Sequence, residues 1–370
     1  MVQTRLLSEA LHYIRRWGIR RTIAVMLACL GRKLDHDFDF LEVDRILAPT
    51  RRDTRSLRVP NYEELVSDHW SIMAKKEPTL FHWTDSSIVM EHINKCVSGH
   101  SEIGWLQYAC EKYLKHTSGA KHCLSLGCGS GALERQVRRM GACETIDAVD
   151  IAKGAIEEAM RLAQEENITG INYRLENIEN IRLPVNRYDA VFSSSAVHHI
   201  KNLEMLFEQV RAALKRDGFF IMAEYVGPSQ SQFTDKVVDI INEILQTLPS
   251  TYKKLSSDPN RTKQFFVRVT REYTNANDPS EAVRSDEIIP ILASYFKILE
   301  RRDYGGAILH MLLQDIIANF DHDDERDRTI LKLLIQLEAT LIREKALASD
   351  FCFLVAQKAS DADSSRRCGF

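Results

Sequence analysis

The fold of this chain is decided by the stretch Leu124-Ser125-Leu126-Gly127-Cys128-Gly129-Ser130-Gly131-Ala132. Its apolar residues predict the end of a buried parallel strand, and Leu133, Val137 and Met140 then follow at helical spacing. A strand that breaks into glycines and then a helix leaves bare backbone at the carboxyl edge of a sheet. Glycine is required there because a side chain would keep a nucleotide-like ligand away from that backbone.

Further strands are predicted downstream, with helical segments between them. The strands are predicted at Ile146–Asp150, Tyr173–Leu175, Tyr188–Phe192 and Gly218–Tyr225, and the helices at Ile156–Glu166 and Leu203–Leu214. Alternating strands and helices over about a hundred residues predict a doubly wound parallel sheet. The last two strands are predicted at Phe296–Glu300 and Phe351–Ala356. The expected fold is therefore α/β, with a mostly parallel seven-stranded sheet.

Asp150 ends the second predicted strand, nineteen positions after Gly131. An acidic residue at about that offset can accept hydrogen bonds from both hydroxyls of a ribose. Gly127, Gly129 and Ala132 satisfy the G-x-G-x-x-G/A pattern of dinucleotide dehydrogenases. Gly127, Gly129 and Gly131 also form a tighter G-x-G-x-G, which suits a ligand without a pyrophosphate. The glycines alone leave both cofactor classes open.

Roughly residues 120–226 resemble the class I S-adenosylmethionine-dependent methyltransferases. The resemblance rests on LSLGCGSG, the strand-end Asp150, LENIENIRLP, YDAVFSSSAVHHI and LKRDGFFIMAEY, in that order and spacing. The HW and FHW motifs near Trp70 and Trp83, with EYVGPS, SEAVRS and SDF, resemble a bacterial subgroup of small-molecule methyltransferases. The resemblance implies a Rossmann-like methyltransferase fold and S-adenosylmethionine as the cofactor.

The resemblance also implies where the cofactor would lie. The loop glycines would border its methionine portion, Asp150 would hold the ribose and Ile151 would pack on the adenine. Asn177 stands where the family usually has Asp, and its amide oxygen can still accept a hydrogen bond from the adenine amino group. Ser193 would offer backbone near the sulfonium. The expected cofactor-binding residues are Gly127, Cys128, Gly129, Gly131, Asp150, Ile151, Asn177, Ile178 and Ser193.

Candidate catalytic residues follow the fourth and fifth predicted strands. His198 and His199 come after the fourth strand, where residues of this family face the methyl group. Histidine titrates near neutral pH, so either ring could remove a proton from a hydroxyl or ammonium acceptor. His198 is placed first because it is nearer the strand end, and the alternative is a histidine that only orders the loop. Glu224, at the tip of the fifth strand, is the third catalytic candidate.

Aromatic residues are the expected substrate contacts, although large aromatics more often belong to a core. The predicted substrate-binding residues are Trp70, Trp83 and Tyr225, with Arg284 and His310 as weaker candidates.

Composition bounds the function of the chain. Its 370 residues are 44% hydrophobic and 27% charged, which is typical of a soluble globular protein. A net charge of -3 gives no reason to expect broad nucleic-acid binding. Ser193-Ser194-Ser195-Ala196 stands where base-amino methyltransferases display Asp/Asn-Pro-Pro-aromatic. Eight cysteines show no spacing typical of zinc, disulfides or iron–sulfur clusters, so no metal is expected and a reducing cytoplasm is the expected location.

The segments around the core also have expected roles. We expect a basic helical arm and linker over 1–60, and a helical segment covering the cleft over 61–118. The cofactor-binding core is expected over 119–228. A helical cap is expected over 229–348 with one core strand near 296–304, followed by the last core strand over 349–358 and a disordered tail over 359–370. Asp278 and Pro279 predict the start of a helix that runs to Phe296. The basic arm could pack on the core or on a second subunit, or lie on an anionic membrane surface.

These observations predict a cytoplasmic methyltransferase that acts on an O or N atom of a small-molecule acceptor, such as a metabolite or a glycan. The alternatives are a nucleic-acid methyltransferase, an NAD-dependent oxidoreductase and a non-catalytic S-adenosylmethionine-binding protein. The acceptor and the oligomeric state stay open.

Overall fold

The computed structural model of the chain describes residues 62–73, 80–115 and 120–358. The predicted basic arm over 1–60 and the predicted tail over 359–370 lie outside these ranges. Within the ranges, no helix has both the length and the apolar character that a membrane span requires.

A seven-stranded sheet with the strand order β3-β2-β1-β4-β5-β7-β6 forms the core. The strands are β1 (Ala120–Leu126), β2 (Cys143–Asp150), β3 (Ile171–Leu175), β4 (Tyr188–Ser194), β5 (Leu214–Tyr225), β6 (Phe296–Gly305) and β7 (Phe351–Lys358). Strands β1 to β5 run parallel, and β7 lies antiparallel between β5 and β6. The predicted mostly parallel α/β sheet is confirmed. Chain order reverses on either side of β1, and ligands of such sheets bind at the carboxyl ends of the strands beside that point.

Alternate residues of the central strands enter two different apolar clusters. Leu124, Val191 and Phe220 belong to a cluster that also contains residues of the helix Leu203–Ala213. Their chain neighbours Cys123, Phe192 and Ile221 belong to a second cluster. Both faces of the sheet are therefore buried, which is why these strands are almost continuously apolar in sequence.

Helices precede, connect and follow the strands. The α-helices of the described ranges are Tyr62–Met73, Ser87–Ser98, Trp105–Ala109, Ala132–Arg139, Lys153–Glu165, Leu203–Ala213, Asp235–Thr247, Arg271–Asn277, Ile288–Tyr295, Leu309–Leu313 and Glu325–Arg343. A further apolar cluster includes Ile93, Ile241, Leu312 and Leu331, which come from four of these helices.

The predicted helix from Pro279 to Phe296 is wrong in its first part. Asp278 caps the C-terminus of the preceding helix, and the next α-helix begins only at Ile288. The Asp278 carboxylate accepts hydrogen bonds from the backbone N–H and the hydroxyl of Ser280, so it stabilises a turn instead of a helix start. The backbone N–H of Val283 donates to the carbonyl oxygen of His198. This turn therefore lies against the residues that follow β4.

Candidate active site

A cavity of about 390 Å³ opens at the carboxyl ends of the central strands. Its wall includes the glycine loop after β1, the tip of β2, the turn after β3, the residues after β4 and Trp70. The volume lies within the range of roughly 300–1,000 Å³ typical of small-ligand sites. The structure thus brings most of the predicted cofactor residues together around one space.

Two loop glycines are required by close packing. Gly127 has a φ of 67°, and a Cβ built on it would overlap the Cβ of Ala196. Gly131 has a φ of 76°, and a Cβ there would overlap the Tyr173 hydroxyl. Gly127, Cys128 and Gly129 line the cavity, as the sequence predicts. Gly131 lies off its wall and allows the loop to pack against β3.

Asp150 lies on the cavity wall beside Ile151. Its Oδ2 accepts a hydrogen bond from the Gly129 N–H at 2.8 Å, and its Oδ1 accepts one from the Ala152 N–H at 2.8 Å. Burial raises the pKa of Asp150, and these N–H groups only partly oppose that rise. Each carboxylate oxygen keeps a further lone pair, so the group can still accept hydrogen bonds from a ligand.

The turn after β3 contributes Asn177 and Ile178 to the same wall. The Asn177 side-chain oxygen accepts from the Glu179 N–H at 2.9 Å, and its Nδ2 donates to Glu63 at 2.7 Å. Asn177 therefore caps the short helix Ile178–Asn180 and connects it to the helix Tyr62–Met73. Its amide oxygen has a second lone pair available for a ligand.

The end of β4 differs by one residue from the prediction. Ser193 is fully buried and pairs with Leu126 and Met222 inside the sheet, so it is not on the cavity wall. Ser194 and Ser195 line the cavity in its place. The reason is that β4 continues to Ser194, two residues beyond the predicted strand.

His199 lies on the cavity wall. Its ring packs edge-on against Trp70, with 4.9 Å between the ring centroids. Its Nδ1 is 3.3 Å from the carbonyl oxygen of Ser280. Burial, together with the charge on His198, holds the pKa of His199 well below its usual value. This imidazole is therefore neutral at pH values near 7.

His198 lies behind that wall, against Glu224. Its Nδ1 is 2.5 Å from Oε1 of Glu224. Burial alone would lower the pKa of His198, but the Glu224 carboxylate outweighs burial and holds the pKa above its usual value. Oε2 of Glu224 also accepts hydrogen bonds from the N–H groups of Ala196 and Val197. Of the three predicted catalytic residues, the structure puts one on the cavity wall and two directly behind it.

The predicted substrate-binding aromatics separate in the structure. Trp70 lines the cavity, whereas Trp83 is 3% exposed and packs in the apolar core against Phe351. Tyr225 is also buried, and its hydroxyl donates to the carbonyl oxygen of Pro228. The structure does not bring Trp83 or Tyr225 to this cavity, because both side chains fill space among core residues.

The two weaker candidates also lie away from the cavity wall. Arg284 forms ion pairs with Glu204 and Glu287. His310 is packed among Tyr225 and Phe351, and burial lowers its pKa to about 3.

Sequence reasoning missed Glu134, Ser280 and Glu281. Glu134 lines the cavity, and its position three residues before the buried Val137 was the available signal. Ser280 lines the cavity as well, and it comes from a turn about eighty residues along the chain. Glu281, from the same turn, joins His198 and His199 in a group whose possible metal-ligand atoms lie within 4.8 Å of one another. Such a donor set is one that divalent transition metals accept, although cysteine spacing gave no sign of it.

Comparison with known proteins identifies the same core. A family model described as "Methyltransferase domain" matches residues 124–222. The chain is 28% identical over 109 residues to a ubiquinone biosynthesis O-methyltransferase of Coxiella burnetii. This alignment covers 29% of this chain and 45% of the relative. The chain is also 28% identical over 102 residues to a malonyl-(acyl-carrier protein) O-methyltransferase of Bacillus cereus. That alignment covers 28% of this chain and 36% of the relative. The alignments thus span less than half the length of either relative.

A solved S-adenosylmethionine-dependent methyltransferase from Mesorhizobium loti aligns with 16% identity and a TM-score of 0.40. That alignment covers 68% of this chain and 97% of the solved one. The family match covers residues 124–222, and the strand order of the sheet agrees with the Rossmann-like methyltransferase fold that the resemblance implies.

Proposed function

We propose that the chain transfers a methyl group from S-adenosylmethionine to an O or N atom of a small-molecule acceptor. The observation that carries this proposal is that Asp150, His199 and the glycine loop share the wall of one cavity. Such a transfer needs a side chain that binds the ribose, a neutral base and bare backbone at neighbouring points.

The residues around the cavity fit the adenosyl cofactor. Asp150 offers lone pairs to a ribose, and Ile151 and Ile178 offer apolar surface for an adenine. A Cβ built on Gly129 would meet no atom within 4 Å, so this part of the loop is open to a ligand. When bound, the cofactor supplies a methyl group on a positively charged sulfur, which is already activated for transfer.

His199 is the side chain that we assign as the base. A proton on its Nδ1 would be donated to the Ser280 carbonyl oxygen, which leaves Nε2 free to accept a proton from the acceptor. A base so placed contributes about 10²–10⁴-fold to the rate. The acceptor would lie near Trp70, whose ring contacts that of His199.

His198 and Glu224 act as positioning residues in this proposal. Glu224 fixes the short helix Val197–His199 through the N–H groups of Ala196 and Val197. It also raises the pKa of His198, whose ring lies next to that of His199, with 4.0 Å between the ring centroids. A positive charge on His198 favours the neutral form of His199, so the ring is ready to accept a proton near pH 7, but the same charge makes it a weaker base.

The acceptor class rests on coarser support. Both relatives carry names that specify O-methylation: one is a ubiquinone biosynthesis O-methyltransferase and the other is a malonyl-(acyl-carrier protein) O-methyltransferase. These names favour oxygen over nitrogen as the methylated atom. A net charge of -3 offers no general attraction for nucleic-acid phosphates.

Transfer of a labelled methyl group tests this function. The full chain is incubated with S-adenosylmethionine labelled in its methyl group and a metabolite extract of the native cell. We expect a labelled small molecule that is absent when Asp150→Ala protein is used. Label in nucleic acid alone would contradict the acceptor class, and NAD(H) carried through purification would contradict the cofactor.

A further inference from the structure

Glu134 is a fully buried carboxylate on the wall of the cofactor cavity. It lies in the first turn of the helix Ala132–Arg139, directly after the glycine loop. Its side chain is 0% exposed, and neither carboxylate oxygen makes a hydrogen bond of ordinary geometry to a residue of the described ranges. The Ser125 hydroxyl lies nearby without satisfying it.

Among the described residues, no cationic side chain forms an ion pair with this carboxylate. The neighbouring Arg135 is directed elsewhere, since its guanidinium donates to the Ser130 carbonyl oxygen and pairs with Glu166. Burial raises the pKa of Glu134 to about 7, and the Ser125 hydroxyl and the charge of Arg135 oppose that rise only in part. A buried carboxylate without partners is unfavourable, so its presence on a ligand cavity points to a partner that the ligand brings.

The sheet order indicates which part of the ligand reaches Glu134. Strands β3, β2 and β1 are neighbours in that order. Asn177 and Ile178 follow β3, Asp150 ends β2, and the glycine loop with Glu134 follows β1. If the ribose lies on Asp150 and the adenine on the β3 side, the amino-acid end of the cofactor extends toward β1. We propose that Glu134 binds the α-ammonium group of S-adenosylmethionine and so selects a cofactor that carries its amino acid.

An ammonium group matches this carboxylate in charge and in hydrogen bonding. It has three donors and no acceptor, whereas an ionised carboxylate has only acceptors. Charge-assisted pairs of this kind are the stronger hydrogen bonds of proteins. The cofactor's own carboxylate could meet Glu134 only if Glu134 were protonated, and that arrangement gives a different result in the test below. The inference rests on the proposed cofactor site and adds a residue to it.

Two ligands that differ only at the amino-acid end provide the test. S-adenosylhomocysteine carries the ammonium group, and 5′-methylthioadenosine has the same adenosine and sulfur without the amino acid. Calorimetric titration of both ligands is done on the full chain, on Glu134→Gln and on the exposed control Glu144→Gln. For Glu134→Gln we expect roughly 10- to 100-fold weaker binding of S-adenosylhomocysteine, the loss that follows removal of a hydrogen bond to a charged group. Binding of 5′-methylthioadenosine should be unchanged, which also shows that the variant is folded.

Proton release gives a second readout of the same contact. An ammonium partner favours the ionised carboxylate, so S-adenosylhomocysteine should release part of a proton from Glu134 near pH 7, where its pKa lies. Titrations in buffers of different ionisation enthalpy measure this release, which Glu134→Gln should abolish.

Three results would overturn the inference. Unchanged binding of both ligands by Glu134→Gln would mean that Glu134 makes no charged contact, as would hold for a protonated Glu134 that donates to the cofactor carboxylate. Equal weakening of both ligands would mean that Glu134 supports the loop without contacting the amino acid. Failure of the unmodified chain to bind either ligand would overturn the proposed function itself, and the inference with it.

Discussion

Oε1 of Glu224 lies 2.5 Å from Nδ1 of His198, and the two side chains are 0% and 9% exposed. The other oxygen of Glu224 accepts two backbone N–H groups of the residues after β4. One buried carboxylate therefore both raises the pKa of His198 and holds the backbone that positions the adjacent His199.

This pair should give the protein a specific pH dependence of stability. Because the folded-state pKa of His198 is above its usual value of about 6.5, the pair stabilises the fold fully below about pH 6.5, and the effect is lost as the pH rises through the folded-state pKa. We expect Glu224→Gln to lower the free energy of unfolding by about 3–5 kcal/mol near pH 6, and by less near pH 8. Chemical denaturation at both pH values, with the exposed Glu208→Gln as control, measures the difference. A loss that does not change with pH would contradict the charged pair.

His199 should control turnover without controlling cofactor binding. We expect His199→Gln to lower the rate of methyl transfer by about 10²–10⁴-fold, while the Kd for S-adenosylhomocysteine changes little. Because the pKa of His199 is held well below its usual value, the rate of the unmodified protein, measured with S-adenosylmethionine at saturation so that the ionisation of Glu134 does not limit binding, should stay flat from about pH 8 down to about pH 6. Rate measurements with the labelled methyl donor across this range check both points. A rate that falls with a midpoint near pH 7 would indicate a different base.

The glycine loop should tolerate a side chain at some positions and not at others. Gly127 and Gly99 both have positive φ, but a Cβ on Gly127 would overlap Ala196, whereas a Cβ on Gly99 would meet no atom within 4 Å. We expect Gly127→Ala to lower the melting temperature clearly more than Gly99→Ala, which costs only the backbone strain of about 1–2 kcal/mol. Thermal unfolding of the two variants measures this difference. Equal melting temperatures would show that the loop after β1 is not packed against Ala196.

Trp70 should report on ligand binding through its fluorescence. It lines the cavity, whereas Trp83 and Trp105 pack against Phe351 and Phe353. We expect S-adenosylhomocysteine to change the tryptophan emission of the unmodified chain and of Trp105→Phe, and the change to be largely lost in Trp70→Phe. If Trp70→Phe kept the full change, another tryptophan would have to lie closer to the ligand.

The sequence predicted the features that depend on local pattern. Asp150 could be assigned because strand-end position and distance from the glycines are both visible in the chain. Strand ends are less well determined, and the extension of β4 to Ser194 moved the predicted contact from Ser193 to its neighbours. Trp83 and Tyr225 were misplaced because an aromatic side chain has the same sequence signature in a core as in a pocket.

The contribution of residues 278–284 could not be predicted, since it depends on tertiary packing. The sequence favoured a helix from Pro279, but the Asp278 carboxylate binds Ser280 and the backbone of Val283 binds His198. These long-range contacts bring Ser280 and Glu281 beside the histidines. Glu134 was visible as a charged residue on a buried helix face, yet only the cavity shows what that charge could serve.

Binding of S-adenosylhomocysteine to the unmodified chain and to Asp150→Ala tests the central claim most directly. Calorimetry should show one binding site on the unmodified chain. Binding by Asp150→Ala should be at least about 100-fold weaker, because two hydrogen bonds from the ribose to a charged acceptor are lost. The exposed control Asp239→Ala should keep full affinity. Equal affinity of Asp150→Ala and the unmodified chain would contradict the assignment of the cofactor to the tip of β2.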